Sequence, residues 1–517
     1  MPDRTRRRHP ALAATLSFVF PGLGQAYAGR PRTAVLLAGP VVAVIGAASV
    51  VAATRWSELS NELLSSKFLW TLIVIDLALL GWRLAAIGHA WLTTDVVAAP
   101  EGADVKARFP VARARLVTDR QRRSPTTLLA VTLLAAATIG MHGYIALLAG
   151  TLNQTLDSVF AGEEPATTAG SGAQPAEHPA TGGGERRPIS IPEYHWNGTE
   201  RINFLLLGVD SGVGRTWALD DTILVVSVDP ADKKATLVSI PRDTGYMPLP
   251  DESVYPGGVY PRRINELATE ARNAPALWCP DLPPSVDCGL RSLERSVGLY
   301  LGIQIHYYAQ VDLAGFSELI DQLGGVDVCL RGRLVDPGYT GPTWYDRPDG
   351  IVLEPGCHRL EGPEALAYAR IRKGWLELPN GEIQYQNDFR RAERQQELLL
   401  ALRRELAAIP VFELPGVLNA IAHTVSTDFP RSFAGDLASL LPSITRNDVR
   451  QVVLGYPAYV DPPVDEINNY LLIPRREAIR DQMEFLFGAD GPLRGWYVGS
   501  DAASPSDPAA VPAPPAP

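Results

Sequence analysis

Cysteine is scarce in this chain: there are four in 517 residues, with no CxxC pair and no histidine cluster at the spacing of a zinc site. That argues against a metal-stapled domain and leaves disulfides as the use the cysteines suit best. Basic patches interleaved with aromatics are also missing, and the formal net charge is −10, so no nucleic-acid partner is expected. No internal repeat is present. Charge itself is nearly absent from residues 33–54, 68–92 and 126–150, each of which approaches or exceeds the roughly 20 apolar residues needed to cross a bilayer. A chain this long needs more than one structural unit. The first unit is therefore read as a three-span membrane region in contact with the lipid bilayer.

A fourth apolar stretch, residues 11–28, is broken by Pro21, Gly22 and Gly24. Arg4, Arg6, Arg7 and Arg8 precede it and Arg30 and Arg32 follow it, so both its ends are expected in the cytoplasm, as for an interfacial or re-entrant hairpin. The loop 106–123 carries seven cations and is placed inside, whereas 55–67 is poor in them and is placed outside. Three spans then leave everything after residue 150 extracytoplasmic, a multi-pass cell-membrane topology. A cleavable signal peptide does not fit, because the first apolar run is interrupted. Within the second span Asp76 and Arg83 share a helix face at i and i+7 and read as a mutual or interhelix pair; His142 reads as structural.

All four cysteines, Cys279, Cys288, Cys329 and Cys357, fall in the exterior part. Four cysteines allow three pairings. Closeness in sequence favours Cys279–Cys288, which leaves Cys329–Cys357. The Gly-, Pro- and Ala-rich stretch 161–192 reads as a spacer and the Pro-rich end as a tail without a core. Expected boundaries are 1–32 for the hairpin, 33–150 for the spans, 151–199 for the linker, 200–490 for the exterior domain and 491–517 for the tail. In that domain INFLLLGVD, TILVVSVDP, ATLVSIPRD, HYYAQVD and VDVCL read as strands and LAGFSELIDQLGG as a helix, an α/β layered pattern. The segment from Asp388 to Ala408 is helical by composition, with Asp388 placed as its cap.

One short stretch stands out against the acidic background. YARIRK, residues 368–373, places Arg370, Arg372 and Lys373 within four positions. Read as extended backbone, it puts Arg370 and Arg372 on one face with Tyr368. On the helix that follows, Arg391, Arg394 and Gln395 share a face at i, i+3 and i+4. Forked guanidinium donors suit phosphate oxygens, although solvated surface charge explains isolated arginines equally well. Asp210 and Asp221 bracket the first two strand runs at the sheet edge, and Arg242 follows the third. Two carboxylates beside arginines either neutralise them or hold a hard divalent cation that bridges to phosphate. His306, His358 and His423 show no metal spacing, and Asn197-Gly-Thr fits a glycosylation acceptor.

In order along the chain, INFLLLGVD, DDTILVVSVDP, SIPRD, RINELAT, HYYAQVDLAGFSELIDQLGGVDV, CHRLEGPEALAYARIRK and DFRRAERQQ resemble the LytR-CpsA-Psr family of cell-envelope phosphotransferases, over roughly residues 200–410. The resemblance implies an α/β/α fold with a mixed central sheet, preceded here by the α-helical transmembrane region. It implies a polyprenyl-pyrophosphate-linked glycan and Mg²⁺ as ligands, and transfer of the glycopolymer phosphate to a peptidoglycan hydroxyl outside the membrane. On the matching positions it implies Asp210 and Asp221 near Mg²⁺, Arg242, Arg370 and Arg372 on the pyrophosphate, and Asp388, Arg391 and Gln395 on the helix beside them. Asn265 matches the family's KIN asparagine, with Arg263 in place of the lysine. Family members carry an arginine where this chain has Leu219; the nearest arginine is Arg215, a substitute contact if the loop brings it in.

The chemistry implied is electrostatic positioning of a pyrophosphate leaving group, with Asp210 as the candidate general base. Two other readings use the same residues. One is a polyprenyl-phosphate binding or sensing protein without turnover, which Leu219 favours. The other is hydrolysis of the lipid pyrophosphate by water.

Overall fold

The structure is a computed structural model and describes residues 8–54, 65–94, 124–160, 196–209, 220–280, 282–284, 286–339, 350–406, 409, 414–440, 443–462 and 471–488. Asp210, Arg215 and Leu219, the spacer 161–192, the tail and the basic loop 106–123 lie outside the described residues, as does the side chain of His423. The chain forms two compact units, residues 1–154 and 155–517.

The first unit holds helices α1 (Pro10–Val19), α2 (Leu23–Tyr27), α3 (Pro31–Thr54), α4 (Ser66–Thr93) and most of α5 (Pro125–Val159), whose last five residues belong to the second unit. Among the described residues, α4, α5 and the stretch Pro31–Val51 are long and apolar enough to cross a membrane. Between α1 and α2 the backbone turns at Gly22, whose φ of 100° is open to glycine and strained for other residues. The break in the fourth apolar stretch is thus real, and side-chain hydrogen bonds tie both sides of it to α4. Gln25 Nε2 donates to the Ala86 carbonyl at 2.8 Å and Arg83 Nη2 to the Phe18 carbonyl at 2.6 Å. Asp76 and Arg83 therefore do not pair with each other. Asp76 Oδ1 instead lies 2.7 Å from His142 Nδ1 on α5, an interhelix pair. Helix α5 also runs past residue 150 to Val159, so residues 151–159 are helix and not linker. No Gly or Pro follows Gly150 in that segment to stop it.

The second unit is built on strands β1 (Ile202–Val209), β2 (Asp220–Asp229), β3 (Lys234–Ile240), β4 (Tyr307–Asp312), β5 (Val326–Leu330), β6 (Arg333–Asp336), β7 (Ile351–Leu353), β8 (Gly356–Leu360), β9 (Trp375–Glu377), β10 (Ile383–Tyr385), β11 (Val425–Thr427) and β12 (Val449–Val453). Its main helices are α6 (Ile264–Asn273), α7 (Cys288–Leu301), α8 (Leu313–Gln322), α9 (Gly362–Arg370), α10 (Asp388–Leu406), α11 (Leu414–Thr424) and α12 (Arg476–Phe487).

Six strands form the central sheet in the order β11-β4-β1-β2-β3-β12. It is mixed: β1 pairs parallel with β4 and antiparallel with β2, and β3 pairs parallel with β12. Near-continuous apolar runs in β1 to β3 are what a sheet covered on both faces requires. On one face Leu205, Leu207, Val225 and Val238 pack with Ile264, Leu267 and Leu293 of α6 and α7 and with Met483 of α12. The opposite face carries Leu206 and Leu224, which are cross-strand partners. A second core lies under α8, α9, α10 and α11, where Leu319, Leu366's neighbours Ala365 and Ala367, and Leu398 meet the small sheets. The disulfides are Cys279–Cys288 and Cys329–Cys357, as sequence proximity favours. The second joins cross-strand partners on β5 and β8.

YARIRK is not extended. Tyr368 to Arg370 form the last turn of α9, and the chain leaves the helix at Ile371. Ala-rich GPEALAYAR, with proline in its first turn, is a helix sequence whose propensity outweighs the alternation read locally. Helix α10 begins as expected, but its cap is Asn387, whose Oδ1 accepts from the Arg390 amide at 3.0 Å; Asp388 is the first helical residue.

Candidate functional site

A cavity of about 360 Å³ lies against the Leu206–Leu224 face of the sheet, beneath α8, α9 and α10. Its interior is apolar, with Leu206 and Leu224 from the sheet, Phe316 and Leu319 from α8, and Leu398 and Leu402 from α10. One end is polar. Arg242, Arg370, Arg372, Lys373 and Arg391 line it together with the carboxylates Asp221 and Asp336. This is the shape of a site for an amphipathic anion, with cations at the head and a leucine-lined space for a tail.

The cations come from three places that the fold brings together. Arg242 follows β3; Arg370 closes α9, with Arg372 and Lys373 on the turn beyond it; Arg391 sits one turn into α10. The turn after Lys373 passes through Gly374 at φ 94°, where an added Cβ would stand 2.0 Å from the Val335 carbonyl. Only glycine permits so tight a departure beside β6.

Arg242 Nη1 donates to Asp221 Oδ1 at 2.5 Å, and its Nε lies 3.9 Å from both Asp243 and Asp388. Arg391 Nη2 lies 2.9 Å from Asp388 Oδ1 and donates to the Asp221 carbonyl at 3.3 Å. Asp221 on the cavity wall and Asp388 and Asp243 beside it therefore fix the guanidiniums in place. The Nε atoms of both Arg242 and Arg391 are buried and make no hydrogen bond. These two atoms are closed off from the cavity, Arg242 Nε lying between the Asp243 and Asp388 carboxylates, so what favours an anionic ligand is the number of cationic side chains on the cavity wall.

Burial opposes the charge on Arg242, but Asp221, Asp388 and Asp243 outweigh it and raise its pKa above the usual arginine value. Arg391 is shifted the other way, by burial first and then by the proximity of Arg242 and Arg372, with Asp388 countering. Burial also pushes Asp243 above the usual carboxylate range, against the pull of Arg242. Asp220, separated from Thr222 by a β-bulge at Asp221 and neighboured by the charges of Arg272 and Asp287, is pushed by burial up to about 7.

Of the residues implied by resemblance, Asp221, Arg242, Arg370, Arg372, Arg391 and Gln395 all line the cavity, and Asp388 braces Arg391 and Arg242. Asn265 does not line it. It is buried in the first turn of α6, where its amide donates to the Arg242 carbonyl at 3.4 Å and so supports the turn that presents Arg242. Arg394 also turns away, to the carbonyl end of α9. Sequence reasoning left Lys373 out of the site although it belongs to the same cationic run, and it missed Thr222, Asp336 and Tyr339. Thr222 carries a signal in hindsight, as the residue after Asp221 at the strand's start; Asp336 and Tyr339 carry none without the fold.

Among the described residues no group of three or more His, Cys, Asp or Glu side chains is arranged to hold a metal ion. Asp221 supplies one carboxylate at the cavity wall, about a quarter exposed. Mg²⁺ takes one or two protein carboxylates and fills its shell with water and phosphate oxygens, so the donor chemistry here fits that ion.

The profile of the LytR_cpsA_psr family matches residues 170–483, more than half of the chain. This protein belongs to the LytR_cpsA_psr family. The family member "Regulatory protein MsrR" from Staphylococcus aureus strain COL is 31% identical over 235 residues, covering 45% of this chain and 58% of MsrR. "Polyisoprenyl-teichoic acid--peptidoglycan teichoic acid transferase TagU" from Enterococcus faecalis is 28% identical over 235 residues, 45% of this chain and 63% of TagU. The match thus spans less than two thirds of the length of either relative. The crystal structure of B. subtilis TagV is 22% identical with a TM-score of 0.41, over 56% of this chain and 97% of TagV.

Proposed function

We propose that this protein is a membrane-anchored phosphotransferase that moves a glycopolymer phosphate from a polyprenyl-pyrophosphate carrier to a hydroxyl of peptidoglycan, outside the cell membrane. The observation that carries this reading is the cavity with a leucine-lined interior and a five-cation head. A polyprenyl pyrophosphate has the same two parts in the same order. The name of the similar Enterococcus faecalis protein TagU describes a reaction of this class. The three apolar helices fit a multi-pass anchor.

In this reading Arg242, Arg370, Arg372 and Arg391 hold the pyrophosphate, and Lys373 and Gln395 complete the rim. The acceptor hydroxyl oxygen attacks the phosphorus that bears the glycan, and the bond from that phosphorus to the bridging oxygen breaks. Polyprenyl phosphate leaves with the bond's electron pair, and the hydroxyl proton passes to a base, for which Asp210 is the candidate. Preplaced guanidiniums stabilise the charge that builds on the leaving phosphate, and no rearrangement is needed at the moment of transfer. Mg²⁺, bound by Asp221 with Asp210, would supply further charge neutralisation on the phosphate oxygens. Leucines around the tail keep water from the lipid side.

The test is release of polyprenyl phosphate by the detergent-solubilised full chain, given a polyprenyl-pyrophosphate glycan and Mg²⁺, with and without peptidoglycan fragments. Release that requires the fragments supports transfer. Release at the same rate without them indicates a hydrolase, and binding without release indicates a sensor.

A further inference from the structure

An anion site at the C-terminal end of a helix is electrostatically misplaced, because that end carries a partial negative charge from its unpaired carbonyls. Yet Ala369 and Arg370, the last two residues of α9, line the cationic end of the cavity. The carbonyls concerned belong to Tyr368, Ala369 and Ile371, and all three are occupied by side chains of α10. Arg394 Nε donates to the Tyr368 carbonyl at 2.9 Å and its Nη2 to that of Ile371. Gln395 Nε2 reaches the Ala369 carbonyl at 3.3 Å. Nη1 of Arg394 bonds Gln386 Oε1, at the far end of the β9–β10 hairpin. Arg394 itself does not line the cavity, and it is only 7% exposed.

We propose that Arg394 is a positioning residue that neutralises the carbonyl end of α9 and fixes the turn behind it, so that Arg370, Arg372 and Lys373 meet a phosphate anion instead of a negative helix end. The proposal rests on the anion-binding reading of the cavity given above. Several features make a cation necessary here. A neutral side chain could fill the space and bond one carbonyl, but it would leave the dipole uncompensated next to the ligand. Burial makes that charge more effective, since little water screens it. The fork meets two carbonyls and the hairpin glutamine at once; a lysine would reach fewer of these partners but keep the charge, which is the part the anion senses.

The test measures binding of polyprenyl pyrophosphate, and of the uncharged polyprenol of equal length, to the detergent-solubilised full chain and to Arg394→Gln and Arg394→Lys. Neutralising a helix-end charge beside the ligand is expected to weaken the pyrophosphate lipid about 10-fold in Arg394→Gln and to change polyprenol less than about 2-fold. Arg394→Lys, which keeps the charge, is expected to stay within about 3-fold of the unsubstituted chain for both lipids. Equal affinity of Arg394→Gln and the unsubstituted chain for the pyrophosphate lipid overturns the proposal, as does a parallel loss of both lipids. So does an Arg394→Lys variant as weak as Arg394→Gln. If Arg394→Gln does not fold, Arg394→Lys decides alone: pyrophosphate affinity within 3-fold supports the charge role, and a selective 10-fold loss contradicts it. Should the unsubstituted chain bind both lipids equally, the anion-site reading fails first and this inference with it.

Discussion

Arg242 and Asp221 form an ion pair on the wall of the cavity, Nη1 to Oδ1 at 2.5 Å, joining the turn after β3 to the start of β2. Arg242 also stands within 3.9 Å of Asp388, which in turn lies 2.9 Å from Arg391. The two guanidiniums are thus held at fixed positions by carboxylates that lie beside the cavity. Asp221→Asn keeps the shape and removes the charge. Transfer is expected to fall by about 100-fold or more, because charge placement is what the site supplies, while carrier binding persists. Parallel assays of product formation and lipid binding check this, and an Asp221→Asn chain that retains normal turnover would count against the assignment.

The apolar interior gives a second expectation. Leu399 lines the cavity from α10 and is only partly buried. Leu399→Asp puts a carboxylate where the tail would lie. Affinity for a long-chain polyprenyl pyrophosphate is expected to drop at least about 10-fold, the equivalent of leaving part of an isoprene unit unburied and a carboxylate desolvated. Competition by inorganic pyrophosphate, which has no tail, is expected to stay the same. Equal losses for both would mean the tail lies elsewhere.

Stability should depend on pH through buried acids. Burial pushes Asp220 up to about 7 and Asp428 up to about 6, and it raises Glu294 well above the usual range. Each is protonated in the fold at a pH where the unfolded chain has lost the proton. The folded protein therefore binds more protons between about pH 4 and about pH 7, and its stability falls as pH rises through that window. Asp220→Asn is expected to remove much of the slope, a contribution on the order of a few kcal/mol between about pH 5 and about pH 8. Denaturant midpoints of the two chains at these pH values provide the check; parallel pH profiles would contradict it.

The Cys329–Cys357 bridge closes a loop of sequence separation 28 and ties β5 to β8 at the edge of the second core. Replacing both cysteines by serine is expected to cost about 3 to 4 kcal/mol of stability on the chain-entropy argument. Thermal unfolding with and without reductant tests it: the unsubstituted chain should lose stability on reduction, and the double variant should not respond at this bridge.

Much of the fold was legible in the sequence because β1 to β3, β4 and β5 are uninterrupted β-rich runs, and turn residues or glycines bound α8. The cation cluster was legible as a basic run at residues 370–373 and through the family resemblance at Arg242 and Arg391; spacing alone did not select it, since the extended reading of Arg370 and Arg372 does not hold. What failed was local. YARIRK alternates like a strand, but helix propensity upstream of it carried α9 through Arg370. Arg394 looked like a third phosphate ligand because it shares a face with Arg391, and a carbonyl end that periodicity cannot show claimed it instead. Asn387 and Asp388 are both good caps, and only the hydrogen bond to the Arg390 amide distinguishes them. Tyr339 and Asp336 are brought to the cavity by strand pairing far from the motifs, which no local pattern encodes.

The most direct measurement of the central claim is mass spectrometry of the product formed by the detergent-solubilised full chain from a polyprenyl-pyrophosphate glycan, Mg²⁺ and peptidoglycan fragments, with Asp221→Ala alongside. The account predicts a phosphodiester-linked glycan–peptidoglycan product that is absent with Asp221→Ala. Tight, cation-dependent lipid binding with no linked product for any acceptor offered would contradict it.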